Sequence, residues 1–563
     1  MDELIAQLTP RRPWWPWLTA SAVSLAAITW AFVASAQKIE VEVPVDPCLE
    51  PGQELAIRWS PEAWTPRAPE SAAAVSVSPW SIVDDNAARY SESWTQTVEG
   101  LCRAAQRGES VGAAHTQALA CLGQGAREFN TTAEVVRSRE SAEGLEGAFG
   151  NLHPPQLCVA PQGRPVFGSA SAELIEELEA VRRLQLEGDD ERALTRARAL
   201  RGRAEKASDV VVAAQVSFSI GKLEILFNDP EAAVKHLEES ALLAERLGDD
   251  LLAAEAYAEL IDVVTLMWGE LDDAVRYGKM GRVKLQRAGA VYSEVAGQYH
   301  SAMSNLEFRL RNLEAAAGHA QRAYELLSVR QGHQSLAALI ARSNHAAALC
   351  DLKRYDDAIA SYLHNLELRH RTYGPKHSST VHDELRLGRV YLKSGRLEPA
   401  MAQYRKVEEL AVPQVGDIRF SRIAAFSLGR QCEIVVRKGD YASALPYCER
   451  AGAALRELPH DRQQRGARQS MRRYYGFALM GVGRYEEALV QLGREHELLL
   501  EMSPGNEANL AYNTSARCRV LLELGRATEC RSELDHAASW FEKSGRMQSL
   551  QNLRAMTKQP QRK

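Results

Sequence analysis

At 563 residues the chain exceeds what one hydrophobic core serves, so it is built either of several domains or of an elongated array. Charged residues make up 25% and the net charge is −5, which excludes the strongly basic balance of a nucleic-acid binder. Nine cysteines are too few for a disulfide-built fold, yet Cys48, Cys102, Cys121 and Cys158 fall together in the first third of the chain.

Pro13 to Ala36 carries no charged side chain and is long enough to cross a bilayer as one helix, with Trp14, Trp15, Trp17 and Trp30 near its ends. Arg11 and Arg12 precede it, and Lys38, Glu40 and Glu42 come after it. This bias places residues 1–12 in the cytoplasm and the bulk of the chain outside, so a single-pass inner-membrane protein is expected. The rival reading is a cleaved signal peptide, since Ala34-Ser35-Ala36 fits a small-residue cleavage site. Residues 37–80 are rich in proline and lack helical periodicity, as expected of an extended linker. Its tryptophans, Trp59, Trp64 and Trp80, imply that part of it docks on the next domain.

Residues 81–160 predict a small helical domain. Tyr90, Trp94, Val98 and Leu101 recur at three or four residues, making one apolar face, and a second helix is expected from Gly112 to Val136. Cys102 and Cys121 lie on either side of Arg107-Gly108-Glu109-Ser110, a spacing that lets a helical hairpin bring them together. In an exported domain this predicts a disulfide clip, with Cys48 and Cys158 as a second pair; buried free thiols are the alternative.

From residue 171 to 556 one pattern recurs nine times: a turn residue, an aromatic or leucine, an acidic pair and a small residue. The small residue falls at Ala193, Ala233, Ala274, Ala316, Ala358, Ala400, Ala444, Ala488 and Cys530, at intervals of 40 to 44. Twelve positions upstream of each stands a second residue, usually small: Gly221, Ser304, Ala346, Gly388, Cys432, Gly476 and Cys518, with Val181 and Asp262 as exceptions. Two small positions per unit, at a fixed period, predict pairs of closely packed helices stacked into an all-α solenoid, with residues 557–563 as a disordered tail. Cys518 and Cys530 occupy both contact positions of the last unit, so either a disulfide or two buried thiols is expected there. Cys350, Cys432 and Cys448 read as packing residues.

This pattern resembles the tetratricopeptide repeat (TPR), most fully at Gly476, Gly483, Tyr485 and Ala488 and at Gly388, Gly395, Leu397 and Ala400. The period is similar to the roughly 42-residue variety of kinesin light chains, and Tyr373-Gly374-Pro375-Lys376-His377 resembles the link between their repeats. The resemblance implies a right-handed superhelix that binds protein or peptide partners. A second resemblance rests on Trp94, Cys102, Arg103, Arg107-Gly108-Glu109-Ser110 and Cys121-Leu122, which are similar to the juxtamembrane region of myxobacterial-type serine/threonine protein kinases. It implies the sensory half of such a kinase without its catalytic domain, and a separate kinase or signalling subunit as partner.

Catalytic and cofactor motifs are not met. Gly123-Gln124-Gly125 and Gly481-Val482-Gly483 lack the third glycine of a kinase loop, and Gly221-Lys222 lacks the rest of a phosphate loop. His496-Glu497 begins like a zinc-protease helix but continues to Leu500 where the second histidine belongs, and His364, His370, His377 and His382 are not spaced for one helical face. No enzyme, cofactor or metal is expected. The working surface is then the groove lined by the first helix of each unit. Asn344, Arg386, Arg389, Lys393, Arg430, Arg437, Arg473 and Arg519 are placed to face it, a row suited to carboxylate-bearing segments or to a merely solvated face. Asn344 also matches the asparagine with which kinesin-light-chain-type repeats hold a peptide backbone.

Overall fold

Helices are the only regular elements among the described residues of this computed structural model, which are 79–557 apart from 111, 140–144, 146–147, 151, 153, 160–171, 269, 413–417, 459–461 and 503–506. The apolar run 13–36 and the linker up to residue 78 lie outside them. Among the described residues no helix is long and apolar enough to cross a membrane.

The chain enters on a helical hairpin, α1 (Pro79–Gln106) and α2 (Ala113–Ser138), followed by a 3-10 turn, Pro155–Val159. The helix starts at Pro79, inside the expected linker, because proline's fixed φ suits a first helical position. The three-and-four periodicity of α1 is buried as predicted: Val83, Ala87, Tyr90, Trp94, Val98 and Leu101 pack on Leu122, Phe129 and Val136 of α2 and on Leu145 and Phe149 beyond it. The Trp94 indole donates to the Leu122 carbonyl at 2.9 Å, satisfying its buried N–H.

The cysteine pairing differs from the expected one. Cys121 is bonded to Cys158, with Cα atoms 5.5 Å apart, which displaces both the Cys102–Cys121 clip and a Cys48–Cys158 pair. The reason lies in the return of the chain: the 3-10 turn packs across both hairpin helices and delivers Cys158 to α2. Cys102 is disulfide-bonded as well. Cys48 lies outside the described residues.

Nine helix pairs come next among the described residues. They are α3 (Ala172–Glu187) with α4 (Asp190–Lys206), α5 (Val210–Leu226) with α6 (Pro230–Leu247), α7 (Asp250–Val263) with α8 (Leu271–Arg287), α9 (Glu294–Arg309) with α10 (Leu313–Gln331) and α11 (Leu336–Asp351) with α12 (Tyr355–Thr372). The series continues with α13 (Ser378–Lys393) and α14 (Leu397–Ala411), α15 (Ile418–Arg437) and α16 (Tyr441–Arg456), α17 (Arg462–Gly481) and α18 (Tyr485–Glu501), and α19 (Glu507–Glu523) and α20 (Ala527–Lys543); α21 (Met547–Thr557) ends the array. Helix α7 runs on into a single π turn at Val264–Trp268, and α16 carries Pro446 in its interior.

The repeat logic is steric. Each small anchor lies in the first turn of a second helix and is fully or almost fully buried, from Ala193 to Cys530. Five residues before eight of these anchors the chain turns through a left-handed residue, Gly188, Asn228, Arg311, Lys353, Gly395, Gly439, Gly483 or Gly525, while the residue five before Ala274 lies outside the described residues. The upstream small position answers the residue four beyond the anchor. A Cβ on Gly476 would stand 2.8 Å from Leu492, one on Gly388 2.9 Å from the Tyr404 ring, and one on Gly221 2.6 Å from Leu237. Where that later residue is the small Ala320, the upstream position holds Ser304, whose hydroxyl donates to the Ala316 carbonyl at 2.9 Å. In the seventh pair the same two positions are Cys432 and Cys448, which form a disulfide with Cα atoms 5.0 Å apart rather than simply packing. Cys518 and Cys530 are also bonded, at the same Cα separation, while Cys350 is the buried free thiol among the described residues.

Successive first helices pack on one another, as α7 on α9, α13 on α15 and α15 on α17 do, whereas no two second helices do so to a comparable extent among the described residues. The first helices therefore form the inner face.

Candidate partner-binding face

The residues expected to face the groove all lie on first helices, Asn344 on α11, Arg386, Arg389 and Lys393 on α13, Arg430 and Arg437 on α15, Arg473 on α17 and Arg519 on α19, and the structure joins all but Arg519 into three groups. The first surrounds a pocket of about 130 Å3 between α9, α11 and α13. Asn305 donates to Asp262 at 3.0 Å, Asn344 to Asn305 at 3.3 Å and Arg386 to Asn344 at 3.3 Å, so one polar side chain from each of four successive first helices joins a continuous ladder. Beside it Asp351, whose side chain is 2% exposed, is met by Arg311 at 2.9 Å, by Arg389 at 3.1 Å and by Lys393. Burial alone would push its carboxyl up, but these three cations hold it below the usual carboxylate range. The cations are the solvent side of the cluster, with side chains 65%, 44% and 39% exposed.

The second group centres on Glu433, again buried, which pairs with Arg430 at 2.6 Å and with Arg437, and accepts from the Tyr474 hydroxyl at 2.8 Å. Arg430 also reaches Ser470 on the next first helix at 3.3 Å. In the third, Arg473 pairs with the fully buried Glu495 at 2.7 Å and donates to Asn509 at 3.1 Å. Arg519 stands apart, exposed and with no ion pair to another described residue.

The spacing that located the cations passed over their partners. Asp351, Glu433 and Glu495 lie at different offsets from their anchors, so no periodicity flags them. Asn305 was passed over too, since it stands 39 residues before Asn344 where the repeat interval is 42, and so falls out of register with it. Asp262, the polar exception among the upstream small positions, heads the ladder, and burial raises its carboxyl to about 7.

The inner face of the early repeats is covered. The return segment of the hairpin lies against it, with Leu152 and Pro154 bordering a cavity of about 200 Å3 walled by Leu178 of α3, Phe218 of α5, Leu252 of α7 and Val295 of α9. Arg182 of α3 pairs with Glu128 of α2 at 3.0 Å.

Residues 336–411 match the tetratricopeptide repeat family. A search of curated proteins finds no match. Among solved structures the chain is similar to BtubC (BKLC) from P. vanneervenii, at 18% identity over 44% of this chain and 94% of that one, with a TM-score of 0.35. It is similar to apo RapI at 11% identity over 68% and 96%, TM-score 0.44, and to a Rap protein complexed with competence and sporulation factor at 12% over 66% and 99%, TM-score 0.43. With nine described helix pairs, small residues at both contact positions and the matched stretch in the fifth and sixth pairs, residues 172–557 are an all-α solenoid of TPR-like repeats.

Proposed function

We propose that this is a non-catalytic binding protein that takes an acidic, extended protein segment on the inner face of α9 to α17. The observation that carries this is the cluster at Asp351, where three exposed cations surround one buried carboxylate. The carboxylate fixes the cations in place, and the surplus positive charge faces solvent, where it costs little to hold and is available to a ligand. The Asn305–Asn344–Arg386 ladder beside it supplies amide groups at the spacing of successive helices, suited to the backbone of an extended chain. The 42-residue spacing and the Tyr373–His377 link support reading these as repeats of the kinesin-light-chain kind.

The protein works outside the cytoplasm, anchored by residues 13–36. Disulfides in the hairpin and in two repeats support an oxidising compartment, because such bonds do not persist among cytosolic thiols. The test is binding of a labelled short poly-glutamate peptide, measured by fluorescence anisotropy in wild type and in an Arg389→Gln, Lys393→Gln double variant. Tight binding by wild type that weakens with salt and falls at least tenfold in the variant supports the reading; equal affinity in both overturns it.

A further inference from the structure

The hairpin and the array have separate hydrophobic interiors. The hairpin cluster runs from Val83 through Trp94 and Phe129 to Leu152, and among the array's described hydrophobic residues the half-buried Leu186 packs on it. In return, among the described hydrophobic residues of the hairpin Leu157 packs on the main core of the early repeats. Beyond those apolar contacts and a close approach of Gly150 to the Gln331 side chain, the two bodies are joined by polar pairs. Arg182 pairs with Glu128 at 3.0 Å, Arg183 with Glu134 at 2.7 Å, Gln124 donates to Glu179 at 3.1 Å and Arg139 to the Glu187 carbonyl at 3.1 Å. Between them the cavity of about 200 Å3 remains unfilled by side chains. A polar seam over a cavity is how docked domains meet, whereas a continuous core would be apolar and close-packed. The hairpin also carries its own staple, Cys121–Cys158, which ties the return segment to α2 and not to the array.

We propose that the hairpin with its return segment is a removable intramolecular occupant of the inner face of α3 to α9, seated by the Glu128–Arg182 clamp. Undocking moves a stapled, self-contained body and exposes Leu178, Phe218, Leu252 and Val295 together with the polar side chains around them, among them Gln215 and Lys222. Helix α9 couples the two halves of the array. Its first turn, at Glu294 and Val295, borders the hairpin cavity, and its Asn305 belongs to the distal ladder. The inference does not depend on the acidic-segment reading, because it is tested without that ligand.

The experiment uses the full chain carrying Ser219→Cys, a position that borders the cavity, and tracks maleimide labelling by peptide mass mapping, with the buried thiol of Cys350 as an internal reference in the distal array. Glu128→Arg and Arg182→Glu are each expected to raise labelling at position 219 at least tenfold without raising it at Cys350, and the two together to return it to the starting rate. Unchanged labelling in both single variants overturns the clamp. A rise at Cys350 in step with position 219 also overturns the proposal, since it shows the hairpin to be part of the array's core.

Discussion

The two halves of the inner face are built from the same helix pairs and solve the same problem, polar side chains crowded where first helices converge, in different ways. In the early repeats the chain supplies its own cover, and Arg182 finds its carboxylate on another body, the hairpin. From α9 onward the carboxylates come from within the array. Asp351, Glu433 and Glu495 sit buried beneath the cations, and the cations stay toward solvent. The contrast separates charge used to hold a piece of the chain from charge fixed in place with a surplus left over. It also divides the cations of the distal face: Arg311, Arg389 and Lys393 share one carboxylate, whereas Arg473 is the ion-pair partner of a fully buried one.

The largest effect comes from that division. Arg473→Met should strip Glu495 of its guanidinium, leaving a buried carboxylate with only the neutral amides of Gln469 and Asn513, and lower stability by roughly 3–5 kcal/mol. Arg389→Gln leaves Asp351 with Arg311 and Lys393, so its denaturation midpoint should move by about 0.5 kcal/mol or less in free-energy terms. Urea unfolding of the two variants measures both. Similar losses would erase the distinction between buried support and available charge.

The next effect belongs to the early half. Cys121→Ser with Cys158→Ser opens a 37-residue loop, worth about 3–4 kcal/mol by chain entropy. The loss should be local. Amide exchange should speed up in α1, α2 and the 3-10 turn while α11 to α17 keep their protection. Uniform acceleration would mean that the hairpin and the distal repeats unfold as one unit.

A smaller, pH-dependent effect marks the boundary between the halves. Burial raises the Asp262 carboxyl to about 7, above its value in an unfolded chain, so the folded protein holds a proton there that the unfolded chain releases. The stability attached to this proton is present in full below the unfolded value near 4 and is lost as pH rises toward 7. Asp262→Asn removes the titration and keeps a side chain able to accept from Asn305. The melting-temperature advantage of the variant should therefore widen from pH 4 to pH 7 and then level off. A constant difference across that range would show that Asp262 is ionised throughout.

Much of this was legible in the sequence, and the residues show why. Steric rules repeat, so the anchors from Ala193 to Cys530 and the upstream small positions predicted helix pairs that the structure contains, down to Gly476 lying under Leu492. Pairing chemistry does not repeat. Which cysteine meets Cys121 depends on the 3-10 turn Pro155–Val159 packing across the hairpin, an arrangement that no periodicity announces, and the sequence led to Cys102 instead of Cys158. Cys432 and Cys448 looked like small packing residues because they occupy packing positions, and that same proximity is what lets them bond. A buried network in the matched stretch, where Arg369 pairs with Asp383 at 2.8 Å and Asn365 and Ser343 both donate to the same carboxylate, left no trace in the motif either. Its members come from three different helices.

The smallest prediction concerns the turn between paired helices, where the left-handed residue is glycine in most repeats but Arg311 and Lys353 at the two turns flanking the distal pocket. A left-handed conformation costs a side-chain-bearing residue about 1 kcal/mol relative to glycine. Lys353 makes no ion pair among the described residues, so Lys353→Gly should stabilise by about that amount and leave binding of the poly-glutamate probe unchanged. Arg311 sits in the same strained geometry but reaches Asp351, so Arg311→Gly relieves strain while removing one of three cations from a buried carboxylate. Its stability should stay within about 0.5 kcal/mol of wild type, the two effects offsetting, and its affinity for the probe should fall. Parallel melts and anisotropy titrations of the two variants separate these outcomes. If both glycine variants gain the same stability and bind alike, the arginine is only a strained turn residue, and the surplus charge of the distal face shrinks to Arg389 and Lys393.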